Sequence, residues 1–136
     1  MIDTFRLLID FGLCVLIWVI QCITYPGFRY YTREEMLTWH PRYVNRITGI
    51  VAPLMTGQAI LYIFRFFQNI SLVTSTELLL VLLLWALTFL QAMPLHKELS
   101  KGRHIQDTIE KLIQKNWIRT ILWTYLFIWG LIQYFW

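Results

Sequence analysis

The chain has 136 residues, of which 57% are hydrophobic, 17% aromatic and only 15% charged. A soluble domain is about a quarter charged and roughly half apolar, so this balance excludes an ordinary soluble domain and points to a bilayer. The net charge of +4 is no nucleic-acid signal, because the basic residues gather at the ends of apolar runs.

Four runs carry no charge: Phe11 to Phe28, Ile47 to Phe64, Leu78 to Leu95, and Thr120 to Trp136. About 20 apolar residues cross the hydrocarbon core as a helix. The runs therefore predict four spans, over about 7–25, 43–66, 78–95 and 118–136, in a single all-α transmembrane domain covering 1–136. The expected architecture is an integral membrane four-helix bundle with a short amphipathic helix in each of its two cytoplasmic loops. The first run lacks the basic start and the small-residue cleavage site of a secretory signal, and reads as a retained helix. Ten of the twelve Lys and Arg residues lie between the first and second spans or between the third and fourth, leaving only Arg6 and Arg65 on the other side. Short basic loops stay cytoplasmic. That bias predicts a multi-pass inner-membrane protein with both termini on the non-cytoplasmic side.

In the first span Asp10 lies near the outer end and is expected to reach water, Gln21 lies deeper, and Pro26-Gly27 is expected to break the helix. Cys14 and Cys22 have no metal-ligand spacing and read as buried or lipid-facing thiols. Thr32-Arg33-Glu34-Glu35 has capping-box form and predicts a short helix through Met36, Leu37 and Trp39 that ends before Pro41. Pro53 stands in the middle of the second span, where it frees a carbonyl and favours a kink. The third span begins leucine-rich and ends polar, at Gln91, Pro94 and His96. Ile105, Ile109, Leu112 and Ile113 follow helical spacing among charged residues, the pattern of a helix lying in the interface plane. Asn116-Trp117-Ile118-Arg119-Thr120 leads into an aromatic last span.

An up-down order of crossings brings the cytoplasmic ends together. It places His40, His96, Asn116 and Arg119 at one depth as candidate catalytic groups. Gln21, Tyr25, Trp39, Tyr43, Gln91, Trp117 and Trp123 are the candidate lining of a pocket there. The bland alternative for each is an interfacial anchor or an interhelical hydrogen-bond partner. No phosphate loop, zinc signature or nucleophile elbow occurs.

The order of motifs resembles the small four-helix membrane family that includes anthrone oxygenases. The matching pieces are Tyr25-Pro26-Gly27, the Pro53-containing span, Met93-Pro94-Leu95-His96 with Leu99, and Asn116-Trp117-Ile118-Arg119-Thr120 with Trp123. They run in order through most of the chain. Members of the family tend to carry asparagine near the place of His96. The resemblance implies a helical bundle and, in some members, oxidation of a polycyclic aromatic by dioxygen. It carries over to Pro94, His96, Asn116, Arg119 and Thr120.

Three functions fit these residues. The first is a pocket for a lipophilic small molecule, an oxidoreductase on a quinone-like or anthrone-like aromatic. There His96 or His40 is the base, and Asn116 and Arg119 stabilise an enolate-like oxygen. The second is a haem b protein with His40 and His96 as axial ligands. The third is a non-catalytic transporter, assembly factor or accessory subunit. The expected partners are the bilayer, the lipophilic molecule, and a further copy or a larger membrane complex.

Overall fold

A computed structural model describes all 136 residues, and they form four helical rods with no strand. We label them α1 (Ile2–Tyr30), α2 (Arg33–Gln68), α3 (Leu72–Ser100) and α4 (Ile105–Phe135). The first three are long and apolar enough to cross a membrane. In α4 the apolar residues are interleaved with Thr120, Thr124, Gln133 and several Trp and Tyr side chains, which lower its mean hydropathy. The rods run up and down, α1 against α4 and α2, α3 against α2 and α4.

Each rod owes its ends to local chemistry. Thr32 caps α2 as its sequence predicts: Glu35 N donates to Thr32 Oγ1 at 3.2 Å, and Thr32 N donates to Glu35 Oε2 at 2.7 Å. An equivalent box starts α3, with Thr74 N donating to Ser71 Oγ at 3.2 Å and Ser71 N to Thr74 Oγ1 at 3.1 Å. Between α3 and α4 the chain turns through two left-handed residues, Gly102 and His104. The positive backbone angle of Gly102 favours glycine there, and a Cβ would also push the tip of the Leu37 side chain aside, 2.8 Å away.

Three expectations change. The segment Met36 to Trp39 is not a separate loop helix; it is the start of α2, which runs through both Pro41 and Pro53. Nor does the segment Ile105 to Ile113 lie apart as an interfacial helix, because it forms the first turns of α4. The reason is mutual burial: Met36, Leu99, Ile109 and Leu112 close on one another with Phe28 in a second core cluster beyond the spans. Apolar stripes that the sequence assigns to lipid headgroups find each other instead.

Pro26 also fails to break α1. A π turn, Ile20–Thr24, precedes it, and another, Thr88–Ala92, precedes Pro94 in α3. Proline has no N–H to donate, and its ring displaces the carbonyl four residues back. Those carbonyls belong to Cys22 and Leu90, which lie inside the two π turns. Widening the ladder, with Tyr25 N bonded to Ile20 O and Met93 N to Thr88 O, lets each helix continue. It also rotates the remainder of the helix by roughly a quarter turn, and Tyr25 and Phe28 are the buried residues after the first bulge.

An exposed ion pair joins α1 to α4 at this end. Arg29 Nε and Nη2 donate to the two oxygens of Glu110 at 2.7 and 2.8 Å. These hydrogen bonds, helped by the guanidinium charge, hold the Glu110 carboxyl below its ordinary range. A carboxyl lowered by folding stabilises above its unfolded value, near pH 4.3, and the contribution disappears as pH falls through the lower folded value. Thermal unfolding in detergent is thus expected to show a smaller acid-side loss of Tm for Glu110→Gln than for the unaltered protein. Superimposable acid limbs would mean that the pair contributes nothing.

Candidate functional site

Most of the polar residues named from the sequence converge where α1 and α3 end and α2 and α4 begin. The centre is a row of four side chains. His40 Nδ1 is 2.7 Å from Ser100 Oγ, His40 Nε2 is 2.9 Å from His96 Nδ1, and His96 Nε2 is 3.0 Å from Tyr25 Oη. The imidazoles are nearly parallel, with ring centroids 5.1 Å apart. His40 is fully buried and Tyr25 almost so, while His96 is partly open. Phe28 packs edge-on against His40 with centroids 5.4 Å apart, and Tyr43 lies tilted 6.0 Å from His40 and edge-on to Phe28 at 5.3 Å.

A second set holds Arg119. Gln21 Nε2 donates to the Ile113 carbonyl at 3.1 Å, Asn116 Nδ2 to Gln21 Oε1 at 2.8 Å, and Arg119 Nη1 to Asn116 Oδ1 at 3.1 Å. Thr120 Oγ1 adds a longer bond to Gln21 Oε1 at 3.3 Å. Asn116, Arg119, Thr120 and Trp123 share one face of α4 through their three- and four-residue spacing. Arg119 lies over the Trp123 ring at 5.2 Å. It is buried, and no carboxylate lies within ion-pair distance.

Both sets face a groove of about 510 Å³. Its walls come from α2, including Tyr43, Thr48 and Ala52, and from α3, including Trp85, Phe89 and His96; Ile20, Tyr25 and Arg119 form the floor. Gln91 lines a narrow crevice beside it with Tyr25, Asn116 and Arg119. The Nε atoms of Arg119 and Trp85 and the Gln91 carbonyl oxygen are buried without a protein partner.

Three candidates lie elsewhere, the first being Trp123, which is buried in the core behind Arg119 and lines neither the groove nor the crevice. Trp39 sits on the outer side of α2, under Arg46 at 5.9 Å, in a shallow hollow with Tyr31 and Glu34. Trp117 is exposed and packs edge-on against Trp18 at 5.8 Å, outside the bundle. It precedes Arg119 by two residues, about 200° around the helix, and so points away from the groove. Nor do His40 and His96 fit an axial pair. Axial ligation needs two nitrogens aimed at a metal between them, whereas here the two facing nitrogens bond each other and the remaining two are taken by Ser100 and Tyr25. No group of three His, Cys, Asp or Glu residues is placed to hold a metal ion.

Ser100 escapes the sequence reading, although it stands four residues after His96 and hence on the same face. Asp10 is misplaced by it. That carboxylate is completely buried at the opposite end of the bundle and accepts bonds from Gln58 Nε2 and Tyr62 Oη, both at 2.7 Å. Arg6 and Glu77 are buried beside it, Arg6 Nη1 standing 3.8 Å from Glu77 Oε1, and Arg65 Nε is 3.3 Å from Glu77 Oε2. Arg6 to Asp10 and Gln58 to Tyr62 are four-residue steps between polar groups in apolar helices, the signal that points to a shared interior. Trp123 links the two ends, its indole N–H donating to Gln58 Oε1 at 3.2 Å. Compared with known protein families, curated proteins and solved structures, the chain matches none.

Proposed function

We propose that this is a multi-pass membrane protein whose groove between α2 and α3 takes a lipophilic small molecule and exchanges a proton with an acidic oxygen on it. Four observations support the bilayer. Three helices have the needed length and composition, the outward faces are apolar (Phe5, Leu8, Phe11, Val15 and Trp18 along α1), the interior is polar at both ends, and the bases cluster at one end. A contiguous apolar exterior of that extent suits lipid tails, not water. The positive-inside rule then sets the groove end toward the cytoplasm and both termini opposite.

The observation that carries the chemistry is the Ser100–His40–His96–Tyr25 row. A neutral imidazole has one N–H and one acceptor nitrogen. The row is therefore complete in two ways: with every proton directed toward Ser100, or with every proton directed toward Tyr25. Moving each proton across its own hydrogen bond converts one order into the other and carries a proton between the Tyr25 and Ser100 ends of the row, both of which line the groove. Histidine suits the task because a neutral imidazole can give a proton from one ring nitrogen while taking one at the other. Arg119, oriented by Asn116 and Gln21, offers the positive charge that favours an anionic oxygen. A fused aromatic with a phenolic or enolisable oxygen, the substrate class implied by the resemblance to anthrone oxygenases, meets both demands.

A hydroxyanthraquinone, whose visible absorption changes when its phenol ionises, tests this in detergent-solubilised protein. The bound dye is expected to ionise at lower pH than the free dye, and Ala52→Trp, which fills the groove from an exposed position, is expected to remove the effect. A dye that binds equally well to the filled variant would overturn the reading.

A further inference from the structure

The nineteen residues that line the groove include Lys97, Lys101 and Arg119 and not one carboxylate. The adjoining crevice adds Lys115 and again no acid. None of the carboxylates at this end of the bundle lines the groove or the crevice. Glu35 caps α2, Glu110 holds Arg29, Asp107 holds Lys111 at 2.8 Å, and Glu98 lies 3.7 Å from Lys101 on the exposed side of α3. Arg119 is the telling member. It is only 6% exposed, its one hydrogen-bonded protein partner is a neutral amide, and its Nε has none. A buried guanidinium is stable when paired with an anion and costly when left alone. The protein supplies no such anion here, although it supplies several to Arg6 and Arg65 at the other end.

We infer that the groove's occupant is a lipid with a phosphate-bearing headgroup, seated with its tail along the apolar wall and its phosphate among Arg119, Lys97 and Lys101. The inference rests on the groove being a ligand site, as proposed above, and names a different occupant from the fused aromatic, which then serves as a chromogenic probe of the same groove. Phosphate fits better than carboxylate for two reasons. Three cationic side chains line the groove, buried Arg119 and the exposed Lys97 and Lys101, and a phosphate monoester carries about −1.5 to −2 charges at neutral pH against one for a carboxylate. Guanidinium also matches phosphate oxygens with two parallel donors, and its Nε–H is the donor left free in Arg119. The size is suitable, since ligand clefts run from about 300 to 1,000 Å³. The tail's surroundings, Ile47, Val51, Met55, Trp85 and Phe89, present no charge.

Oleoyl lysophosphatidate and mono-oleoylglycerol share a tail and differ in the phosphate. Titrated against the full chain in detergent and read by native mass spectrometry, the phosphate lipid is expected to bind at least about tenfold more tightly, a difference of roughly 1.4 kcal/mol. Lys97→Gln with Lys101→Gln, both at exposed positions, is expected to bring the ratio close to one, as is Arg119→Gln where that variant folds. Ala52→Trp is expected to abolish both bindings. Equal affinities in the unaltered protein, with both lost in Ala52→Trp, would overturn the anionic head and leave the groove. Equal affinities that survive Ala52→Trp would remove the groove as well. Inorganic phosphate that displaces the lipid at comparable concentration would show a free anion to be the ligand, and the lipid proposal would fall.

Discussion

Replacing Glu77 with alanine is expected to destabilise the folded chain by about 3–5 kcal/mol, the cost of breaking one side of a buried ion pair. Glu77, on α3, is the point where all four helices are joined. Its Oε1 accepts from Trp129 Nε1 at 3.1 Å and from Gln133 Nε2 at 2.6 Å, both on α4, while its oxygens face Arg6 of α1 and Arg65 of α2. Arg65 continues the network to Asp3 and, at 2.9 Å, to Gln133 Oε1. The weight falls on Arg6. It is 1% exposed, and all three of its nitrogens lack a hydrogen-bond partner, so nearby carboxylates and the face of Tyr62 at 5.6 Å are all that compensate its charge. Remove Glu77 and the one carboxylate left within ion-pair distance is Asp3, 3.6 Å away and half exposed, with Asp10 buried nearby but beyond that distance.

A paired substitution is the control. Arg6→Met combined with Glu77→Leu removes both charges and leaves nothing unpaired between them, so it is expected to recover at least half of the loss, because replacing a whole buried pair by apolar groups is often neutral. Reversible unfolding in mixed micelles reads both variants. A loss below about 1 kcal/mol for Glu77→Ala, the range of a surface pair, would mean that water reaches the cluster and that its burial is illusory.

These residues also show where sequence reasoning succeeds and where it stops. Charge-free runs of span length locate the helices, because hydropathy over 20 residues is a property of composition. The up-down order then brings His40, His96, Asn116, Arg119, Gln21 and Tyr25 into register without any knowledge of contacts. Rotation about the helix axis is what escapes. A π turn ahead of Pro26 adds a residue to the ladder and turns Tyr25 inward, and no spacing rule for a regular α-helix contains that step. Depth alone puts Trp39 and Trp117 in the pocket, and depth does not say which way a side chain faces. Distance from the end of a run puts Asp10 near water, when the informative fact is Arg6 one turn earlier. Polar residues repeating at i and i+4 inside an apolar helix mark a face that has partners.

The second large effect concerns the histidine row, and it separates two roles. His96 lines the groove and can touch the ligand; His40 does not line it and acts through His96, so it is a positioning and relay residue. With a hydroxyanthraquinone bound, a pH jump followed by stopped-flow absorption measures how fast the phenol exchanges its proton. His96→Phe is expected to lose both the lowered ionisation point and the fast phase. His40→Ala is expected to keep the ionisation point, which depends on Arg119 and the groove, and to slow exchange by about 10²–10⁴-fold, the usual contribution of a positioned acid–base group. Truncation at residue 40 opens a space beside Ser100, and added imidazole is expected to restore part of the rate by bridging Ser100 Oγ and His96 Nδ1. A merely structural histidine would not behave so. Its loss would shift the ionisation point along with stability, and small imidazole would leave the rate unchanged. Fast exchange persisting in His40→Ala would show that protons reach the groove by another route, and the row would then be a hydrogen-bonded pillar between α1, α2 and α3 and nothing more.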